Sequence, residues 1–344
     1  MTALPVLQPL SNSEKRCFQA CPRKHYIRYG LRIRPVRAAD ALRFGSLLHI
    51  GLEAWWRAAR VGGGRFAAGL AALRAGEAEP FELAKAEVLL AAYHTKWKDE
   101  PLEVLDVEAT FETAIVNPET GAPSRTCYLT GKIDAIVRMA DGLVYICEHK
   151  TTSEVIEGGS DYWKRLRLDS QVSDYFVGAR ALGHDVSGCL YDVIGKPKLQ
   201  LLEATPEASR RYTKDGRLYA SQRAEGETLD DYRARLAAHI AEKPERYLQR
   251  ATVVRLAEDE RDAAYDTWMT AKSIHQARRT GRHPRNPDAC SRWGEVCEYF
   301  AVCTREADVD DPTRFRVAPR AHEELPPPAF PAARTNQHQQ EMDL

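Results

Sequence analysis

The chain has 344 residues, 44% of them hydrophobic and 28% charged, with 49 basic residues balanced by 49 acidic ones. That is the composition of a globular protein with a sizeable core, and any contact with nucleic acid must come from local basic patches rather than from overall charge. No uncharged apolar run approaches the roughly 18 residues of a membrane span. Residues 1–10 lack the basic start and apolar core of a signal peptide, so the expected compartment is the cytoplasm.

The chain opens with Ser11-Asn12-Ser13-Glu14, a helix cap, and the helix runs to Cys21, where Pro22 breaks it or starts another. A helix over this stretch places Cys17 and Cys21 on one face. Arg23, Lys24, Arg28, Arg32, Arg34 and Arg37 follow, interleaved with Tyr26, Tyr29 and Ile33. This run reads either as a solvated face or as a phosphate-contacting edge with aromatic stacking. Over 40–60, Leu42, Phe44, Leu47, Leu48, Gly51, Leu52 and Trp55 recur at helical spacing and set His49 and Glu53 on one face. A lone helical histidine is ordinarily a surface or core residue. After the glycine triplet at 62–64, residues 66–98 predict one or two alanine-rich helices. No Gly-x-x-x-x-Gly-Lys-Ser/Thr occurs, which excludes a P-loop motor.

Residues 104–116 predict a strand containing Glu108, and 117–124 a turn. The apolar runs 131–138 and 145–150 flank Met139-Ala140-Asp141-Gly142, a hairpin signature. Residues 157–160 form a loop. A helix from Asp169 or Ser170 to Leu182 puts Gln171 and Tyr175 on one face, Gly183 stops it, and 187–194 is a fourth strand. A meander, a helix and a further strand fit an α/β core with helical elaborations. Residues 203–250 are highly charged and read as mostly helical, with Arg223, Arg233 and Arg235 solvated, and 257–280 reads as one long helix. Arg278, Arg279, Arg282 and Arg285 then lead into Cys290-x6-Cys297-x5-Cys303. From 304 to 344 the chain turns acidic, then proline-rich and polar, and is expected to be disordered.

The hairpin carries the chemistry. Asp134 lies on its first strand; the second ends Glu148-His149-Lys150, so Glu148 and Lys150 share a face by the period of two. Two carboxylates on adjacent strands suit a hard divalent cation, and a lysine beside them suits a metal-bound water or a phosphate. The plain alternative is an exposed Glu148–Lys150 ion pair. Cysteine usage is lopsided: Cys127, Cys147 and Cys189 lie in apolar runs and read as small buried hydrophobes. Cys17, Cys21, Cys290, Cys297 and Cys303 lie in polar or aromatic sequence, a pattern that favours metal ligation where disulfides are disfavoured.

In these features the chain resembles the PD-(D/E)XK nuclease superfamily, in particular its RecB-like and CRISPR-adaptation exonuclease branch and phage relatives. The matching pieces, in the family's order, are Ser13 to Tyr29 with Cys21-Pro22-Arg23, then Phe44-Gly45-Ser46-Leu47-Leu48-His49, Gly131-Lys132-Ile133-Asp134, Glu148-His149-Lys150-Thr151-Thr152 and Gln171-x-x-x-Tyr175. Ile133 stands where the family name has proline. The resemblance implies a restriction-endonuclease-like core, a mixed sheet flanked by helices, over residues 11–303 with helical insertions near 60–100 and 200–280. It implies that His49, Asp134 and Glu148 bind Mg2+ or Mn2+, that Lys150 is catalytic, and that Gln171 and Tyr175 line the DNA site. Glu108 is similar to an additional acid of some members. It further implies a [4Fe-4S] cluster on Cys21, Cys290, Cys297 and Cys303, with Cys17 as competitor for the N-terminal ligand; four thiolates suit zinc as well by softness. The expected activity is metal-dependent DNA exonuclease action on single strands or ends, in recombination, repair or phage replication, with a helicase or recombinase as partner. The competing expectations are a non-catalytic DNA-binding or assembly subunit that keeps the fold, and a zinc-stapled structural protein.

Overall fold

The computed structural model describes residues 7–37, 40–292 and 295–327. Strand β1 (Gln8–Leu10) leads into α1 (Asn12–Ala20), whose Ser11 Oγ accepts the Glu14 N–H at 3.2 Å. Cys21 adopts extended backbone and ends that helix; Pro22 opens α2 (Pro22–His25), followed by a π-turn and β2 (Ile33–Pro35). The Cys21 N–H still donates to the Cys17 carbonyl, one turn back, at 3.0 Å. Helices α3 (Asp40–Arg60), α4 (Arg65–Ala75) and α5 (Pro80–Trp97) precede the long strands β3 (Leu102–Val116), β4 (Pro123–Met139) and β5 (Val144–Thr152). Next come α6 (Asp161–Arg165), α7 (Ser170–Ala181), β6 (Gly188–Gly195), α8 (Leu229–Glu242), β7 (Leu248–Val253) and α9 (Ala257–Thr280). Short pieces β8 (Ser291–Arg292), β9 (Glu295–Val296), α10 (Phe300–Thr304) and β10 (Phe315–Val317) complete the described chain.

Six strands form one mixed sheet, an α/β architecture as the sequence predicts. β3 pairs antiparallel with β4 along almost its whole length. On its other edge β4 pairs first with β1, parallel through residues 127–129, and then with β5, antiparallel through 135–138. β6 joins β5 in parallel and β7 closes the edge. Two apolar cores lie on opposite faces. One gathers α3, α4, α5 and α8 over Ala135, Val137 and Cys147; the other gathers α7 and α9 over Ile133, Ile136, Ile146 and Tyr191. Cys127, Cys147 and Cys189 are buried among apolar neighbours.

Three sequence expectations are corrected. Residues 203–250 are not mostly helical: α8 covers only part of them, 210–228 run as turns, and β7 forms the sheet edge. The segment lacks an apolar stripe at helical period, and its charges serve as ties instead: Arg235 pairs with Glu227 at 2.7 Å and Arg233 with Glu87 at 3.0 Å. The tail is not disordered from 304 onward, because β10 pairs with β2, Phe315 and Ala318 are buried, and the Ala318 N–H donates to the Arg32 carbonyl. Residues 328–344 of that expectation lie outside the described residues. The basic run after Cys21 is largely structural: Arg34 is buried and donates to the Ile33 and Ala321 carbonyls, and Lys24 pairs with Glu298 at 2.8 Å. Among the described residues no helix is long and apolar enough to cross a membrane.

Candidate active site

The site forms where β4 leaves β1 and takes up β5. Regular strand alternation breaks there: Val107 and Ala135 point into one core, whereas Ala109 and Ile133, two residues away, point into the other. The residues at the break are Glu108 and Asp134. Glu108 has φ +56°, a left-handed conformation that costs a non-glycine residue about 1 kcal/mol or more. Both carboxylates line a cleft of about 630 Å³ together with His49, Glu53, Lys132, Glu148, Lys150, Gln171 and Tyr175. Phe111 forms its floor, and the ring fits only because Gly131 and Gly178 have no side chain: a Cβ would come within 2.7 Å and 2.4 Å of it respectively.

Every candidate from the hairpin and its flanking helices reaches this cleft. Glu148 and Lys150, on one face of β5, form a direct ion pair, and Glu148 is buried. Asp134 accepts the His149 N–H at Oδ2, 2.8 Å, and the same oxygen lies 3.9 Å from His49 Nδ1. Gln171 donates to the Tyr175 hydroxyl at 2.7 Å, one turn apart on α7. Asn12 donates to Ser170 and Asp174 at 2.9 Å, and Lys15 to Asp174 at 2.6 Å, which docks α1 onto the start of α7 beside the cleft.

The electrostatics separate the two carboxylates. Burial would raise Asp134, but the hydrogen bond from His149 and the nearby His49 and Lys150 hold it well below the usual carboxylate range. Glu148 is pushed up to about 8 by burial and by the charge of Asp134, only partly offset by Lys150. Burial would lower Lys150, yet Glu148 and Asp134 outweigh it and keep it a cation. His49 is lowered by burial, partly offset by Asp134. Tyr175 stays a phenol, raised by burial and by Glu148.

A hard divalent cation fits this set. Glu148 Oε2 is buried without a hydrogen-bond partner, an orphaned acceptor that costs free energy unless something positive meets it. Asp134, Glu148 and His49 would hold the cation, which when bound would supply charge for the scissile phosphate and acidify a water. A second cluster, buried Cys147, His149 and Asp192, also brings three ligating groups together. It is no comparable centre, because Arg250 already pairs with Asp192 through Nε and, at 2.7 Å, Nη2.

Sequence reasoning missed His149, Glu53 and Lys132 as parts of the site. Lys132 pairs directly with Glu108, and Glu53 with Arg57 at 2.9 Å. His149 was legible only as a polar residue inside an apolar strand. The tail was missed as well: Glu324 and Leu325 line the cleft.

The other cysteines lie where the chain ends meet. Asn286 donates to the Ala20 carbonyl at 2.8 Å, the Arg23 N–H to Pro284 at 3.1 Å, and the Cys297 N–H to Cys290 at 2.8 Å. The Cys303 thiol is pushed up by burial and then by neighbouring Cys21 and Cys290; Cys297, raised first by burial, is raised further by Cys303. Cys17 is pushed up to about 12 by burial, and its charged neighbours are Lys24, Arg28, Glu298 and Glu14. None of the eight cysteines forms a disulfide.

Comparison with curated proteins returns no match. Among solved structures, one titled "Crystal structure of SSO0001" aligns over 64% of this chain and 74% of its own at 14% identity, with a TM-score of 0.25, too low to carry an argument. The family model described as "PD-(D/E)XK nuclease superfamily" matches residues 9–304. That match spans β1 to α10 and includes every residue of the cleft named above except those of the tail. The chain belongs to the PD-(D/E)XK nuclease superfamily, whose members are usually metal-dependent nucleases.

Proposed function

We propose that the protein is a divalent-metal-dependent DNA exonuclease acting on single strands or free ends. The observation that carries this reading is the convergence of Asp134, Glu148 and Lys150 on one cleft, with Glu148 buried and one of its oxygens unpartnered. In this reading His49, Asp134 and Glu148 hold Mg2+ or Mn2+. Lys150 stays protonated and supports the attacking water or the developing phosphate charge. Gln171 and Tyr175 line the path of the strand. Cys21, Cys290, Cys297 and Cys303 hold a [4Fe-4S] cluster that ties the two ends of the domain, with zinc as the alternative occupant. Cys21 is preferred to Cys17 because Cys303 has it as a neighbour. The role is recombination, repair or phage replication in the cytoplasm, with a helicase or recombinase as partner.

The test is anaerobic purification, an iron and sulfide assay, and incubation with end-labelled single- and double-stranded DNA in Mg2+ or Mn2+. Metal-dependent release of nucleotides from ends, lost in Lys150→Ala, is the expected result. Wild-type protein with its cluster intact that leaves every DNA uncut, or Lys150→Ala that cuts as well as wild type, overturns the reading.

A further inference from the structure

A buried polar row runs behind the cleft. His149 on β5 is in register with Asp192 on β6, and Asp192 with Arg250 on β7, so three charged or polar side chains lie abreast across three strands. His149 and Asp192 are each 2% exposed. The imidazole has two occupied edges: Nδ1 lies 3.3 Å from Asp134 Oδ2, and Nε2 lies 3.3 Å from the Tyr93 hydroxyl and 3.6 Å from Asp192 Oδ2. Tyr93 in turn donates to Asp192 Oδ2 at 2.7 Å. Arg250 grips Asp192 through two nitrogens, pairs with Glu100, and lies 4.0 Å over the Trp97 ring.

We propose that His149 is the positioning residue for Asp134, and that Tyr93, Asp192 and Arg250 hold its ring in that orientation. This rests on the reading of Asp134 as a metal ligand. Residue 149 touches Asp134 twice, by backbone N–H and by ring, and both contacts fall on Oδ2. One carboxylate oxygen is thereby pinned and the carboxylate rotation is fixed. A ring held from behind by a tyrosine and by a carboxylate that a guanidinium clamps in turn has one orientation. Groups that orient a metal ligand from outside the coordination sphere commonly matter for affinity by about 10–100-fold. If the row served stability alone, the identity of the atom facing Asp134 would not matter.

Two amide substitutions separate these roles. In His149→Asn the amide nitrogen reaches the place of Nδ1 and can still meet Asp134. In His149→Gln the amide reaches the place of Nε2, meeting Tyr93 and Asp192 but leaving Asp134 held by the backbone only. The measurement is Mn2+ binding by electron paramagnetic resonance of the free ion, beside DNA affinity in chelator and thermal unfolding. His149→Gln should bind Mn2+ about 10–100-fold more weakly, and His149→Asn should stay within about threefold of wild type. DNA affinity without metal should be unchanged in both. Tyr93→Phe, which removes one hydroxyl and keeps the ring, should weaken Mn2+ binding in the same direction and covers the case where a His149 variant does not fold. The proposal is overturned if His149→Gln and Tyr93→Phe bind Mn2+ as tightly as wild type, or if Mn2+ affinity in the two amide variants follows their unfolding temperature rather than the position of the amide. Wild-type protein that takes up no Mn2+ would instead overturn the site reading beneath it.

Discussion

Besides the β10–β2 pairing, a buried carboxylate ties the tail to the body of the domain, and replacing it should loosen a wall of the cleft. Glu14 is 1% exposed and meets His25 Nε2 at 2.8 Å, Arg278 Nη2 at 2.8 Å and His322 Nε2 at 2.9 Å. Burial raises its pKa, but the hydrogen bond of His25, the close approach of His322 and the charge of Arg278 bring it from 4.5 down to about 2. That gap corresponds to about 3 kcal/mol in favour of the ionised, folded state. The contribution is fully present above 4.5 and is lost as pH falls through about 2. Burial would lower His322, yet Glu14 and Glu324 raise it to about 9, so its contribution is fully present below 6.5 and is lost as pH rises through about 9. Both values describe the same contacts and do not add. Glu14→Gln keeps the shape and removes the charge, leaving His25, His322 and Arg278 around a neutral amide; a broken buried pair costs about 3–5 kcal/mol. The unfolding temperature should drop by roughly 5–10 °C. The His322 ring, followed by NMR, should titrate lower than in wild type, because only Glu324 then opposes burial. Protease should cut residues 318–327 faster than in wild type. A Glu14→Gln protein with the wild-type unfolding temperature and a His322 that still titrates near 9 would refute the reasoning.

Three further outcomes are expected. Metal binding must displace the proton that Glu148 retains up to about 8, so apparent Mn2+ affinity should weaken about tenfold per pH unit below that value, read by titration calorimetry in two buffers; a flat profile removes Glu148 from the ligand set. Gly131→Ala places a Cβ 2.7 Å from the Phe111 ring, which should cost about 1–3 kcal/mol by denaturant unfolding and reduce cleavage; an unchanged midpoint would show that the floor of the cleft can shift freely. Cys21→Ser should lose bound iron and the visible absorption of a cluster, whereas Cys17→Ser should keep both; the reverse result would reassign the N-terminal ligand.

Much of the fold follows rules with short range. Helix α9 spans residues 257–280, matching the stretch read from the sequence, and the hairpin falls at the Asp141-Gly142 turn because left-handed backbone at Gly142 is cheap. Glu148 and Lys150 could be placed on one face because a strand has period two. Their meeting with Asp134 and Glu108 depends on the break in alternation, and nothing local announces it: the left-handed residue is a glutamate, neither glycine nor asparagine. Strand β7 was hidden for a different reason. Its Leu248-Gln249-Arg250-Ala251-Thr252-Val253 reads as surface because Arg250 is charged, yet Arg250 is among the most enclosed cations of the fold and pairs with Asp192 and Glu100.

Arg34, Lys15, Glu14 and Asp192 repeat the pattern. Each is charged, each is buried, and each is satisfied by partners far away in the chain: Lys15 by Asp174, Glu14 by Arg278 and His322. A charge run reads as solvated only while its partners are unknown, since burial of an ion is tolerable once another ion is supplied. In this chain those partners sit in α7, β7, α9 and the tail, far from each charge in sequence, so the pairing could not be read locally. Asp134 and Glu148 were legible because a carboxylate stands out in an apolar hairpin strand. His149, whose backbone N–H and ring both meet Asp134, was not, because its contacts lie inside the protein.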